Sequence, residues 1–203
     1  MKRLILVIAM LVAAAANARS ITERDLFRFQ WIADPQLSTD GSQIAFVRVT
    51  VDEKKDRYET SIWTVAAAES RGAPRQLTTG PSDTAPRWSP DGKSLAFLRS
   101  GEKDGKPTPA QIYILPLNGG EPRAVTSLSR AIDSVAWSSS GRTIAFTART
   151  KAEDTVEKKK DEKEHVSDVR VINQATYRSN GPGYLDPTRA VHLWTLEVPQ
   201  TSA

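Results

Sequence analysis

The stretch Trp88-Ser89-Pro90-Asp91-Gly92-Lys93-Ser94-Leu95-Ala96-Phe97-Leu98-Arg99 decides the fold, because it occurs three times. An earlier copy reads Leu37-Ser38-Thr39-Asp40-Gly41-Ser42-Gln43-Ile44-Ala45-Phe46-Val47-Arg48, and a later one reads Trp137-Ser138-Ser139-Ser140-Gly141-Arg142-Thr143-Ile144-Ala145-Phe146-Thr147-Ala148. The glycines Gly41, Gly92 and Gly141 lie 51 and 49 residues apart. A fixed period of this size is the mark of a repeat architecture. In each copy the turn chemistry is explicit. Ser89 opens the turn, Pro90 presets φ at its first central position, Asp91 tolerates the second, and Gly92 takes the left-handed conformation that returns the chain. Thr39 and Ser139 replace the proline, and Ser140 replaces the aspartate, so those two turns are expected to be less preorganised.

Beyond the turn, side chains alternate between faces, with Leu95 and Phe97 on one and Ala96 and Leu98 on the other. A strand apolar on both faces is buried between two layers. The period continues with Ser61-Ile62-Trp63-Thr64-Val65, Gln111-Ile112-Tyr113-Ile114-Leu115 and His192-Leu193-Trp194-Thr195-Leu196, then with Pro74-Arg75-Gln76-Leu77-Thr78 and Pro122-Arg123-Ala124-Val125-Thr126. Four strands per period of about 50 residues is the signature of a β-propeller blade. The fold class is therefore all-β, a partial propeller of about three four-stranded blades. The expected blades span residues 33–80, 81–128 and 129–203, the last enlarged by a charged insertion over 151–190. Trp63, Trp88, Trp137 and Trp194 recur with the repeat and are expected to pack in the core.

Two segments fall outside the repeat. Thr22-Glu23-Arg24-Asp25 has a capping-box pattern before Leu26, Phe27 and Phe29, which predicts a short helix ahead of the first blade. In the insertion, residues 151–164 carry 11 charges, five positive and six negative, and read as a solvated loop. Asp168-Val169-Arg170-Val171-Ile172 alternates like a strand. Tyr177-Arg178-Ser179-Asn180-Gly181-Pro182-Gly183-Tyr184 reads as a tight loop rather than a linker. Arg and Tyr side chains here, with Arg170, Tyr177 and Arg178 as the candidates, are suited to holding a carboxylate or a peptide backbone, against the alternative that they pack along the blade edge.

At the N-terminus Lys2 and Arg3 precede 13 apolar residues, Leu4 through Ala16, and Ala16-Asn17-Ala18 supplies small residues for signal peptidase. An apolar helix of that length reaches roughly 20 Å, short of a hydrocarbon core of about 30 Å. Residues 1–18 are thus expected to be a cleaved signal peptide, with no stable membrane anchor and export to the periplasm or medium. Among the 203 residues there are 28 Lys plus Arg against 24 Asp plus Glu, and the signs are interspersed, so no basic patch points to nucleic acid.

The absence of Cys from the sequence excludes a disulfide framework, a Cys-ligated metal site and a cysteine nucleophile. The two histidines, His165 and His192, form no metal-ligating pair, and neither a metal nor an organic cofactor is expected. No Gly-x-Ser-x-Gly is present, so the sharp turn that presents a hydrolase serine is missing and no catalytic residue is assigned.

The residues Leu26 through Trp31, Pro35, Asp40, Gly41, Arg57, Tyr58, Ile62 and Trp63, with Asp168-Val169-Arg170, Tyr177-Arg178, Gly183-Tyr184 and His192-Leu193-Trp194, resemble bacterial prolyl oligopeptidase-family (S9) serine peptidases. The resemblance is to their acylaminoacyl-peptidase and dipeptidyl-peptidase-like members. It implies an N-terminal propeller that restricts entry to short or unstructured peptides, ahead of an α/β-hydrolase domain with a Ser-Asp-His triad. Pro199-Gln200-Thr201-Ser202-Ala203 stand where the outer strand of the third blade is expected. The chain is accordingly expected to be the opening portion of such an enzyme, inactive alone and inclined to self-associate through its open propeller edges. The competing reading is a TolB-like periplasmic propeller that binds proteins, since such propellers use the same Pro-Asp-Gly hairpin.

Overall fold

The computed structural model describes residues 20–68, 72–80, 82–150, 178–179, 183–184 and 190–198. The expected signal peptide, the charged stretch 151–164 and the expected strand at 168–172 lie outside the described residues. A 3₁₀ turn, Glu23–Arg28, precedes the sheets. The capping-box residues act as anticipated: the backbone N–H and hydroxyl of Thr22 both donate to the Asp25 carboxylate, at 2.8 and 3.1 Å. Only six residues long, the turn stays 3₁₀, as short pieces do.

Strands β1 (Trp31–Leu37), β2 (Gln43–Asp52), β3 (Arg57–Ala66) and β4 (Arg75–Gln76) form the first blade, a four-stranded antiparallel meander. The second blade repeats this order with β5 (Asp83–Trp88), β6 (Ser94–Arg99), a small hairpin of β7 (Glu102–Lys103) and β8 (Lys106–Pro107), then β9 (Gln111–Pro116) and β10 (Arg123–Ala124). In the third, β11 (Ile132–Trp137) and β12 (Thr143–Ala148) are followed by the hairpin β13 (Arg178–Ser179) and β14 (Gly183–Tyr184), and β15 (His192–Glu197) completes the sheet with β12.

The turns behave as their residues dictate. Gly41, Gly92 and Gly141 have φ of 72°, 68° and 69°, and each N–H bonds back to the carbonyl of Ser38, Ser89 or Ser138 at 2.9 to 3.0 Å. The third turn keeps this backbone geometry without Asp, but the Arg142 N–H reaches the Ser140 hydroxyl at 3.4 Å, whereas Lys93 reaches the Asp91 carboxylate at 3.0 Å. The substitution weakens the brace and leaves the turn in place.

The double-faced strand is buried as expected: Leu95, Ala96 and Phe97 are fully buried and Leu98 is 5% exposed. Leu95 and Phe97 pack with Ala45 and Ile62 of the first blade, while Ala96 and Leu98 pack with Ile144 and Phe146 of the third. Each fully buried side chain of this size is worth about 1.5–3 kcal/mol of transfer free energy. The second blade is thus the central layer of a three-layer stack.

The outer strands reuse one device. Leu77 and Val125 donate backbone N–H to the carbonyls of Ile62 and Ile112, at 2.8 and 2.9 Å. Thr78 and Thr126 then turn their hydroxyls to accept the N–H of the same two residues, at 3.0 and 2.9 Å. A two-residue ladder is extended by one threonine side chain.

Candidate functional site

The first strands of successive blades, β1, β5 and β11, lie side by side. Each carries a bulge: the register shifts between Ala33 and Gln36, between Thr84 and Arg87, and between Ile132 and Ser134. At the first two bulges the residue before proline, Asp34 or Ala85, is left-handed, with φ of 44° or 53°. This conformation is unfavourable for a residue with a Cβ, though Asp tolerates it through local hydrogen bonds. It aims Asp34 at its neighbours. Gln36 Nε2 donates to Asp34 Oδ1 at 2.6 Å, and Arg87 Nη1 of the next blade donates to Oδ2 at 2.8 Å. Both charged side chains are about one third exposed, so the pair sits within reach of solvent where the first strands of two blades meet.

Tryptophans lock the same strands from the other side. Trp88 Nε1 donates to the Gln36 carbonyl at 2.9 Å, and Trp137 Nε1 donates to the Arg87 carbonyl at 3.0 Å. Gln36 and Arg87 occupy the same repeat position, so each blade clasps the one before it by one indole hydrogen bond. All four repeat tryptophans are half-buried rather than enclosed. Trp63 supports the Arg48 guanidinium over its ring at 4.6 Å, and Arg99 holds the equivalent place over Tyr113 at 5.1 Å.

Arg99 also grips Asp83, through Nε at 2.7 Å and Nη2 at 2.8 Å. Asp83 is fully buried, and its hydrogen bonds are the main cause that raises the Arg99 guanidinium above its ordinary range. Between the first two blades, at the hairpin-turn end, lies a groove of about 410 Å³ lined by Asp40, Asp91, Gln43, Arg75, Leu77 and Trp88 among others. The Ser38 hydroxyl first, then the Ser42 N–H and hydroxyl, hold the Asp40 carboxyl down at about 2. The Asp91 carboxyl is lowered by the Ser89 hydroxyl and the Lys93 N–H.

These groups brace turns and hold blade to blade. None of the described ones pairs a nucleophile with a base. His192 is exposed on β15 and, among the described residues, its ring meets that of Trp194 edge-on at 6.5 Å. Among the described residues no three His, Asp or Glu side chains converge as metal ligands. Of the sequence candidates, Arg170 and Tyr177 lie outside the described residues. Arg178 opens the hairpin in which it pairs with Tyr184, so the tight loop anticipated there is a β-hairpin. The Asp34–Arg87 pair was not singled out by the sequence reading. Its one signal is that Gln36 and Arg87 flank equivalent prolines in successive repeats.

The model for the family described as PD40, TolB beta propeller domain, matches residues 16–195. The chain belongs to that family. Within it, the TolB-type propeller described here is 33% identical to the protein named "Uncharacterized peptidase YuxL" of Bacillus subtilis (strain 168), over 80% of this chain and 24% of that one. Dipeptidyl-peptidase 5 of Trichophyton schoenleinii is also 33% identical, over 59% of this chain and 18% of its own. Pyrococcus horikoshii acylaminoacyl peptidase superposes with a TM-score of 0.57 at 19% identity, over 88% of this chain and 25% of its own. The propeller thus spans about a quarter or less of the length of these relatives.

Proposed function

We propose that this propeller is the substrate-gating part of an exported S9-type serine peptidase that acts on peptides. The observation that carries the reading is the 33% identity to a peptidase over 80% of this chain. Acyl transfer by a Ser-Asp-His triad belongs to an α/β-hydrolase domain outside these residues, because the sequence has no Gly-x-Ser-x-Gly. The propeller's contribution is steric and electrostatic, a wall of packed blades with charged groups such as Asp34 and Arg87 on its inner strands. Arg170, Tyr177 and Arg178 face the peptide in this reading.

Two tests bear on it. Purified chain should neither hydrolyse dipeptidyl or N-acetylaminoacyl p-nitroanilides nor be labelled by a fluorophosphonate. Labelling that follows the chain through purification would defeat the reading. Expressed with its first 18 residues in a bacterium, the chain should be recovered from the periplasm beginning at Arg19. Cytoplasmic product beginning at Met1 contradicts the export proposal.

The family model gives a binding-module reading some weight. An α/β-hydrolase reading frame following in the DNA supports the peptidase, whereas a neighbourhood of cell-envelope complex genes supports the binding module.

A further inference from the structure

We propose that the groove between the first two blades, at the end where their hairpin turns lie, is a site for a short peptide of two or three residues with both termini free. The inference does not rest on the peptidase reading, because nothing in it concerns hydrolysis. Both walls of the groove are complete four-stranded blades. Its volume of about 410 Å³ falls in the range of small-ligand pockets.

The groove is open because the first blade departs from the second. Where the second blade meets the third, the Pro90 ring fills the junction: a Cβ added to Gly141 would stand 3.6 Å from Pro90 Cδ. Thr39 holds the Pro90 position in the first blade, and a Cβ added to the equivalent Gly92 would meet nothing within 4 Å. The Thr39 hydroxyl instead donates to the Ser89 carbonyl at 3.2 Å, which ties the two turns together beside the opening. Thr64 stands where the second blade has Ile114, and Gln43 where it has Ser94. Buried Thr64 donates its hydroxyl to Gln43 Oε1 at 3.0 Å. That bond fixes the amide and leaves the Gln43 Nε2 hydrogens without an acceptor among the described residues. Three departures from the repeat thus gather in one groove, and each adds space or a polar group.

The charges of the lining select the ligand. Asp40 and Asp91 present exposed carboxylates on the two turns, and Arg75 presents an exposed guanidinium on β4. Among the described residues neither Asp91 Oδ2 nor the Arg75 guanidinium has a partner. Asp40 leads into β2, and β3 separates β2 from β4, so the opposite charges lie two strand spacings apart, roughly 10 Å. An extended residue spans about 3.5 Å. An ammonium at the aspartates and a carboxylate at Arg75 are therefore joined by two or three residues. A main-chain carbonyl between them can accept from Gln43 Nε2, and Leu77, Trp88 and Leu117 offer half-buried apolar surface to the side chains. A lone cation or a free amino acid satisfies one end only.

The test is isothermal titration calorimetry of the whole chain with the tripeptide Ala-Leu-Ala at low ionic strength, where saturable one-to-one binding is expected. N-acetylation removes the ammonium and C-amidation removes the carboxylate; each should weaken binding about tenfold, as the loss of one charge-assisted hydrogen bond does. Free leucine should bind more weakly than the tripeptide by at least about as much. Thr39→Pro copies the turn of the second blade, so it should keep the parent's circular dichroism and thermal midpoint while weakening binding about tenfold or more. Arg75→Gln should bind the tripeptide and its amide alike. If either variant fails to fold, the capped peptides and leucine on unaltered protein still decide. No saturable binding, binding that ignores either cap, leucine binding as tightly as the tripeptide, or full binding by folded Thr39→Pro overturns the proposal. So does an Arg75→Gln variant that still prefers the free carboxylate.

Discussion

At the scale of single residues, two carboxylates illustrate different uses of a hydrogen bond. Asp40 is an exposed acid that braces a turn through Ser38 and Ser42, at 2.7 to 3.1 Å. Its folded value of about 2 lies below the roughly 3.9 of an unfolded aspartate. A depressed carboxyl adds stability above its unfolded pKa and loses it as pH falls through the folded one, a window from about pH 4 down to about pH 2. The gap in urea midpoint between the parent and Asp40→Asn should therefore be present at pH 5 and shrink toward pH 2; a gap independent of pH contradicts this. The reverse change, Ser140→Asp, should restore the brace missing from the third turn and raise stability by about 0.5–1 kcal/mol in urea unfolding. Asp83 is the buried case. Replacing it with Ala strands Arg99, and the cost should be about 3 kcal/mol, the low end for a buried pair because the Arg99 side chain is 22% exposed. Gly80→Ala should disturb the same pair from outside, since a Cβ there stands 2.6 Å from Asp83 Oδ1 and 2.8 Å from Arg99 Nε.

Among the elements, the blade is held to its neighbour by packing and by one indole bond. Trp137→Phe keeps most of the apolar surface and deletes the bond to the Arg87 carbonyl, so it should cost about 1–2 kcal/mol in thermal or urea unfolding. The hairpin turns and the double-faced strand were legible in the sequence because their causes are local: Gly92 at positive φ, and alternation over Leu95 to Leu98. The hairpin β7–β8 has an equally local signal. Asp104-Gly105 is a two-residue loop with φ of 54° and 71°, the type I′ pattern that Asp-Gly favours. The site was less legible for a physical reason. Asp34 and Arg87 are 53 residues apart in sequence and meet only because one blade stacks on the next. The anticipated helix became a 3₁₀ turn because Leu26, Phe27 and Phe29 are 39 to 54% exposed and have too little packing to extend it.

For the molecule as a whole, the surface is asymmetric. Ile21, Leu26, Phe29, Ile32 and Leu37 are 49 to 76% exposed on the N-terminal turn and first blade. The corresponding face of the third blade carries Ala136, Ala145, Thr147 and Thr195, with Leu193 as its one large exposed apolar side chain among the described strand residues. We propose that self-association of the chain runs through the first blade. Sedimentation of the parent should show concentration-dependent species that Ile32→Glu with Leu37→Glu removes; persistence of those species places the contact elsewhere. The proposed role is to gate access for peptides rather than to cut them. It is tested most directly by setting residues 20–198 in place of the matching stretch of the Bacillus subtilis relative. Hydrolysis of a dipeptidyl p-nitroanilide and of a folded protein should then be compared for the chimera and for the chain alone. The expected result is turnover of the peptide by the chimera only, with the folded protein left intact. Peptide turnover by the chain alone, or digestion of the folded protein by a well-folded chimera, would contradict it.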